Sequence, residues 1–588
     1  MSYRAPVADM AFTMRHVAGF DRAVAEGLYG DLTADDAVAV LEEAARFAGE
    51  VIAPLNQPGD RHGTPLSDGR VTMPPGFKEA YAAWWRAGWN GLAGPESHGG
   101  QGLPLLLNAA CVEMWNAASM AFALNPLLTA GGIEALLKHG SDELKSLYLE
   151  KVVSGEWTAT MNLTEPQAGS DLAALRTRAV PAGDGTYRIT GTKIYITYGE
   201  HDLTDNIVHL VLARLPDAPA GTRGISLFLV PKVLPDGSLN DLRCAGVEHK
   251  LGIHASPTCT MAYGDGGGAT GWLVGEENRG LACMFTMMNA ARLAVGLQGV
   301  AIAERAYQGA LAYARERRQG RAGAEASSPI VAHPDVQRML LTMKAYAGAA
   351  RSICYMTAAA LDRAHRAPDE AARRAAHEEA SLLTPVAKAF STDIGVEVAS
   401  LGVQVHGGMG FVEETGAAQH LRDARIAPIY EGTNGIQAID LVTRKLPLSG
   451  GATVRARIGA MRAVVDRVAR QGSDAFGLTA PRLREAVDRL DRATSHLLKA
   501  TNRPDEVLAG ATPYLRLFGL AQGGAALAQA GLAAEAAAKA GDADPAHPAR
   551  VALARFFAEN LSPAAGGLAD SVTAGSAFLQ DAPLALAS

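Results

Sequence analysis

One carboxylate stands between an aromatic ring and a glycine in the segment Ile429-Tyr-Glu-Gly-Thr-Asn-Gly-Ile-Gln437. A carboxylate beside apolar groups holds its proton more tightly than one in water, so Glu431 could act as a base near neutral pH. An exposed turn glutamate is the plainer reading of any single Glu. A second segment, Leu163-Thr-Glu-Pro-Gln-Ala-Gly-Ser-Asp171, offers the short hydroxyls of Thr164 and Ser170 on a chain that Pro166 and Gly169 can turn tightly. Exposed N–H groups in such a turn can hold a polar ring edge or a phosphate; a solvated turn capped by Asp171 has the same composition. Gln404-Val-His-Gly-Gly-Met-Gly410 is a glycine-rich turn after a helix, and His406 alone reads as structural. The basic run Arg315-Glu-Arg-Arg-Gln-Gly-Arg321 is a phosphate site or the cationic end of a helix.

Other chemistries lack their residues. There is no GxxxxGK[ST], HExxH or GxSxG pattern. One GxGxxG occurs, at Gly266–Gly271, but Trp-Leu-Val follows it instead of an opening helix, so it reads as a β-loop and not a dinucleotide site. Cys111, Cys244, Cys259, Cys283 and Cys354 lie far apart with no CxxC pair, which points away from zinc and from a disulfide framework. No metal site is expected.

The elements that must position these residues fall into blocks. Thr33–Ala53 is helical, with Thr33 and Asp36 spaced as a cap and Val40, Leu41, Ala44, Phe47, Ala48 and Val51 on one face. Helical patterns resume at Lys78–Ala87 and over Leu105–Gly140. From Thr158 to about Gly275 the runs are short and β-branched: Thr186–Thr190, Lys193–Thr197, Ile207–Leu212 and Gly224–Val230. Gly, Asp and Pro separate them, and no helices alternate with them, so antiparallel strands are expected and a doubly wound sheet is not. Helix returns after Asn278. Pro447–Ala452 reads as a linker, followed by helices over Val454–Arg470, Pro481–Thr501, Tyr514–Ala540 and His547–Glu559. Lys+Arg 54 against Asp+Glu 61 gives a net charge of −7, which argues against a nucleic-acid partner. The N-terminus has no apolar core of signal-peptide length, and the most apolar tract, Gly519–Ala538, is interrupted by Gln522, Gln529 and Glu535. A packed helix is expected there, with no membrane span, in a cytoplasmic protein.

Leu163–Asp171, Lys193-Ile-Tyr-Ile-Thr197, Arg292, Arg317, Gln404-Val-His-Gly-Gly408 and Arg422-Asp-Ala-Arg-Ile-Ala-Pro-Ile-Tyr-Glu-Gly-Thr433 stand in one order and spacing. Together they resemble the acyl-CoA dehydrogenase flavoproteins over residues 35–445. The length and the added C-terminal helices resemble a long bacterial branch that handles 3-(methylthio)propanoyl-CoA, in dimethylsulfoniopropionate demethylation, or ordinary fatty acyl-CoAs, in β-oxidation. The resemblance implies a mainly α protein with a central β-barrel: an N-terminal extension (1–34), a helical domain (35–158), the barrel (159–277), a four-helix bundle (278–447) and an additional helical domain (452–588).

The resemblance also implies roles. FAD would contact Leu163 and Thr164 at the isoalloxazine, Ser170 at the phosphates or at the substrate pantetheine, and Tyr195 and Thr197 beside the ring. Many relatives carry Trp where Tyr195 stands. Arg317, Gln404 and Gly408 match positions that hold the ADP part of FAD across a subunit interface, and Thr433 matches one near the pyrophosphate. Glu431 matches the α-proton base, and Asn289 and Arg292 match acyl-CoA-proximal positions. The implied reaction is α,β-dehydrogenation of an acyl-CoA to a trans-2-enoyl-CoA, with hydride transfer to flavin N5 and electrons passing to an electron-transfer flavoprotein. The implied assembly is a homodimer. Two alternatives share the motifs: an acyl-CoA oxidase using oxygen, and a flavin- or CoA-binding protein without catalysis.

Overall fold

The computed structural model describes residues 3–322 and 327–587, apart from the side chain of Asn289. Thr33 caps the first long helix, α1 (Ala34–Phe47), as the spacing predicts. Its hydroxyl accepts from Asp36 N at 3.1 Å while the Asp36 carboxylate accepts from Thr33 N at 3.0 Å. Leu41, Ala44 and Phe47 are buried, and a π turn continues the helix over Ala48–Ile52. α2 (Phe77–Arg86) follows. The expected single helix over Leu105–Gly140 is two, α3 (Leu105–Ala118) and α4 (Met120–His139). Ser119 between them is extended (φ −157°) and its hydroxyl caps α4 at Phe122 N; a serine competes with the helix at an N-cap more readily than it continues one.

Eight strands form one sheet: β1 (Thr158–Asn162), β2 (Arg178–Pro181), β3 (Tyr187–Thr197), β4 (Ile207–Ala213), β5 (Ser226–Pro231), β6 (Leu242–Val247), β7 (Thr258–Tyr263) and β8 (Ala269–Val274). Their order is β1-β4-β5-β8-β3-β7-β6, with β2 on β3; only β1 and β4 run parallel. The two runs read separately at Thr186–Thr190 and Lys193–Thr197 are one bent strand. The expected barrel does not close. From β1 the Thr160 hydroxyl instead reaches across to β3, donating to Thr197 O at 2.7 Å. Gly266–Gly271 turns into β8, its Gly266 and Gly268 N–H groups held by the Asp241 carboxylate, as a β-loop should be.

Three long helices, α5 (Gly280–Glu316), α6 (Pro334–Arg366) and α7 (Glu370–His406), make the bundle. Two short ones, α8 (Ala417–Ala424) and α9 (Asn434–Asp440), the latter continued by a π turn over Leu441–Lys445, follow them. α5 and α7 approach closely because glycines face each other: a Cβ on Gly395 would lie 2.9 Å from the Gly299 Cα. A buried charge cluster ties this bundle to α3. Arg351 donates to Glu113 at 2.6 Å and to Glu304 at 2.9 Å, and the Tyr355 hydroxyl donates to Glu113 at 2.8 Å.

At the linker, Ser449, Gly450 and Gly451 all have positive φ and reverse the chain. The helices beyond it are α10 (Ala452–Gln471), α11 (Thr479–Lys499), α12 (Ala511–Lys539), α13 (His547–Phe556) and α14 (Ala565–Thr573). α12 lies on the back of the bundle. A Cβ at Gly519 would run into the Phe390 ring, one at Gly523 would come within 2.7 Å of Ala349 Cβ, and Arg516 pairs with Glu397 at 2.8 Å. The first helices are no loose extension either. Tyr3, Met10, Met14 and Phe20 are buried, Gln529 donates to His16 O at 2.7 Å, and Arg550 reaches Asp9 at 3.1 Å.

Contrary to the expectation from composition, α4, α5 and α12 are long and apolar enough to cross a membrane, but the larger part of each apolar window is buried inside the chain.

Candidate active site

The segment carrying Glu431 is a turn between α8 and α9. Glu431 (φ 54°) and Gly432 (φ 81°) are consecutive left-handed residues, and Asn434 N closes the turn on Pro428 O at 2.9 Å. A glutamate in that region of φ costs about 1–3 kcal/mol and persists only where its surroundings impose it. They do so from several sides. Thr433 caps α9 by accepting from Ile436 N at 3.2 Å. The Gln437 side chain donates to Glu431 O at 3.2 Å and Gly432 O at 3.4 Å. The Lys388 ammonium, reaching from α7, donates to Gly432 O and to Asn434 Oδ1, each at 2.9 Å. The Tyr430 hydroxyl donates to the Gln298 amide oxygen on α5.

Burial pushes the Glu431 carboxyl above its ordinary range, and the Arg292 and Lys388 cations pull back against it. Arg292 is itself buried on α5 and lies 3.5 Å from Asp440 at the end of α9. The Glu431 N–H makes no hydrogen bond with another described residue.

A cavity of about 510 Å³ runs between the bundle and the N-terminal helices. Arg292 and Asp440 line it, and so do Ala123, Leu127 and Gly131 of α4. Trp84, Trp89 and Trp115 line it too; the Trp89 and Trp115 rings meet edge-on at 5.2 Å. The cavity is thus mostly apolar, with a cation beside the Glu431 turn.

The second group of expected residues lies on the sheet. Leu163 and Thr164 leave the end of β1, and Ile194 N donates to Thr164 O at 2.9 Å. Beneath them is a buried ion pair: Lys193 Nζ lies 2.8 Å from Glu165 Oε1 and also donates to Leu163 O at 3.1 Å. Glu165 further accepts from Arg176 N at 2.7 Å and Thr177 N at 3.0 Å. Burial would raise this carboxyl, but Lys193 and these donors outweigh it and hold it down at about 2. The pair clamps the segment from Leu163 to Thr177 onto β3. A β-bulge between Lys193 and Ile196 turns Tyr195 (φ 58°) outward, leaving its ring 60% exposed. Thr197 is half-buried beside it and Ser170 is exposed.

Arg317, Gln404 and Gly408 form a third, distant group, all exposed. They share one end of the bundle, where the Tyr313 and His406 rings stack at 4.6 Å. Gln404 lies sixteen residues along α7 from Lys388, about 24 Å of helix, and Arg317 lies twenty-five residues beyond Arg292, about 37 Å. One chain therefore does not bring them to Glu431. The side chain of Asn289 lies outside the described residues.

Sequence reasoning missed Lys388, Gln298, Gln437 and the Glu165–Lys193 clamp. Lys388 had a signal: it is the one charge in the apolar stretch Pro385-Val-Ala-Lys-Ala-Phe390. Gln298 and Gln437 had none, since helical glutamines are ordinarily solvated.

Comparison with known proteins accounts for nearly the whole chain. "Acyl-CoA dehydrogenase, N-terminal domain" matches residues 34–156, the "middle domain" 160–265 and the "C-terminal domain" 278–446, while "Acetyl-CoA dehydrogenase C-terminal like" matches 457–583. The 3-methylmercaptopropionyl-CoA dehydrogenase of Ruegeria pomeroyi is 51% identical over 95% of this chain and 96% of its own. The broad-specificity linear acyl-CoA dehydrogenase FadE5 of Mycobacterium tuberculosis is 34% identical over 95% and 96%. Among solved structures, Caenorhabditis elegans ACDH-11 in complex with C11-CoA superposes with a TM-score of 0.77 at 20% identity, over 95% of this chain and 92% of that one. Bacillus anthracis acyl-CoA dehydrogenase complexed with FAD gives 0.74 at 22% identity, over 92% and 88%. At those identities the structures speak for the fold, and the sequence matches decide the lineage: the chain belongs to the acyl-CoA dehydrogenase family, FAD-dependent oxidoreductases of acyl-CoA thioesters.

Proposed function

We propose that Glu431 is the base that removes the α-proton of a bound acyl-CoA. The observation that carries this is the pinned left-handed turn, which holds a carboxylate of raised proton affinity beside Lys388 and beside Arg292, a cation that also lines the apolar cavity. A thioester α-C–H is a poor acid, and its removal requires stabilisation of the enolate oxygen. The unengaged Glu431 N–H is the donor offered for that oxygen. The apolar wall of Leu127, Gly131 and the three tryptophans keeps water from the acyl chain.

The residues present fit a flavin. Tyr195 leaves an aromatic face uncovered beside the clamped Leu163–Thr164 backbone, and Thr164 and Ser170 add short hydroxyls. Leu163, Thr164, Tyr195 and Thr197 would hold the ring, Thr433 the pyrophosphate, and Ser170 the phosphates or the pantetheine. FAD, when bound, supplies the acceptor for the β-hydride, leaving a trans-2-enoyl-CoA. Arg317, Gln404 and Gly408 would hold its ADP part in a second copy, because within one chain they stand tens of ångströms of helix away from Glu431. A homodimer follows. With α12 covering the back of the bundle, the surface through which shorter relatives would stack into tetramers is occupied. The five buried, unpaired thiols suit a reducing compartment such as the cytoplasm.

For substrate we propose 3-methylmercaptopropionyl-CoA or a short saturated acyl-CoA, supported by the identity to the Ruegeria pomeroyi enzyme. The test is kcat/KM across short, medium and long acyl-CoAs and 3-methylmercaptopropionyl-CoA, with electron-transfer flavoprotein and oxygen compared as acceptors. Highest kcat/KM on long chains would refute the substrate reading, and peroxide formation at the flavoprotein rate would favour an oxidase. Light scattering that shows a flavin-loaded monomer would overturn the shared site.

A further inference from the structure

Lys388 is fully buried in the middle of α7. A buried ammonium is costly, and a neutral side chain would close a helix–turn junction at lower cost, so the charge needs a reason. Its two recorded bonds both fall just past the base. One goes to the carbonyl of Gly432, the residue after Glu431, and one to the side chain of Asn434. Asn434 is gripped in turn by α7: its amide donates to Ala389 O at 3.1 Å, Thr392 Oγ1 at 3.0 Å and Asp393 Oδ1 at 2.7 Å. The left-handed Glu431–Gly432 pair is therefore bolted to one rigid helix, with Gln437 closing it from the opposite side.

The surrounding charges are few. Glu431 faces Arg292 from α5 and Lys388 from α7. Lys388 faces Glu431, its own helix's Asp393, and Arg292. Asp393 in turn faces Arg516 of α12 and Glu397, which pair with each other at 2.8 Å. Burial pushes the Lys388 ammonium down to about 7, against the pull of Glu431 and Asp393.

We propose that Lys388 is a positioning residue for the proton-abstracting carboxylate: it fixes the turn that aims Glu431 and sets a positive charge against the residue that follows it. This rests on Glu431 being the base.

The test compares the holoenzymes of Lys388→Met, Lys388→Arg and Glu431→Gln by anaerobic flavin bleaching with acyl-CoA across pH, alongside flavin occupancy and acyl-CoA Kd. Lys388→Met should keep Kd within about threefold yet bleach at least ~30-fold more slowly, with the acid limb of the rate moved up by about one pH unit. Lys388→Arg should restore the acid limb without restoring the rate, because the charge returns and the single-point geometry does not. A rate within about threefold of the parent and an unmoved acid limb in Lys388→Met would overturn the proposal. Where Lys388→Met fails to load flavin, Asn434→Leu keeps the charge and removes its anchor. It should bleach at least ~10-fold slower with the acid limb in place, and a parental rate would overturn the positioning role. If Glu431→Gln bleaches at the parental rate, the base assignment falls; if it is inert while Lys388→Met behaves as the parent, only the role of Lys388 falls.

Discussion

Replacing Lys193 by Met should loosen flavin binding far more than it lowers global stability. In the native protein Glu165 is almost wholly buried, and its carboxyl lies at about 2 instead of the ordinary 4.5. A folded-state value below the unfolded one stabilises the protein above about 4.5, and that contribution is lost as the pH falls toward 2. Burial pushes Lys193 down to about 8, so the intact pair adds little net stability, but removing one partner of a buried pair costs ~3–5 kcal/mol because it strands the other charge. Met fills the space but leaves the Glu165 charge facing only the Thr177 and Arg176 donors and Gln167. The clamped segment then releases, and that segment carries Leu163, Thr164 and Ser170. If the full cost falls on the flavin-competent conformation, the FAD Kd rises by about two to three decades, at 1.4 kcal/mol per decade. Fluorescence titration of apoprotein with FAD reads this directly. The double variant Lys193→Met/Glu165→Gln should recover at least one decade, because it removes the stranded charge. Unchanged FAD affinity in the single variant, or no recovery in the double, would refute the reasoning.

Glu431→Gln should retain FAD and bind acyl-CoA but lose several orders of magnitude in the reductive half-reaction, measured by stopped-flow bleaching. In the parent enzyme the same rate should fall at acid pH along a limb set above the ordinary carboxylate range, because burial raises Glu431 and only its ionised form accepts the proton. Arg317→Ala should lower flavin retained after dialysis more than it lowers activity per bound flavin, since an exposed cation far from Glu431 acts in binding and not in chemistry. Gly519→Leu should lower the thermal midpoint of the C-terminal helices by forcing them off Phe390, at about 1–3 kcal/mol or more; an unshifted melting curve would contradict the packing of α12.

What could be read from the residues alone divides along physical lines. Local rules placed the Thr33 cap, the strand texture, the linker at Pro447–Ala452 and four of the helices beyond it, because each depends on neighbours in sequence. The break at Ser119 was hidden, since apolar residues on both sides continue through it and both helices are buried nearly all round. The open edge of β1 was hidden because sheet closure depends on which strands meet across the sheet, and strand texture does not encode that. At the site, Glu431 could be singled out from its short segment. Its supports could not: Lys388 precedes it by forty-three positions and Gln298 by far more, and they meet the turn at the Gly432 carbonyl, the Asn434 side chain and the Tyr430 hydroxyl, pairings that no local spacing announces.

The two ends of the chain close on each other. Gln529 holds His16, Arg550 holds Asp9, and the Phe12 ring lies 3.9 Å beneath the Arg550 guanidinium. During synthesis the segment Val7–Ala25 waits for partners more than five hundred residues downstream. At ~5–20 residues per second that wait is about 25–100 s, during which the bonds to His16 and Asp9 cannot form. The barrier to completing the fold is thus one of loop closure over almost the entire chain, met last and lost first. Premature termination within α12 would release polypeptides with intact site residues and an uncovered apolar flank at each end, which makes them substrates for chaperones and proteases instead of slow enzymes.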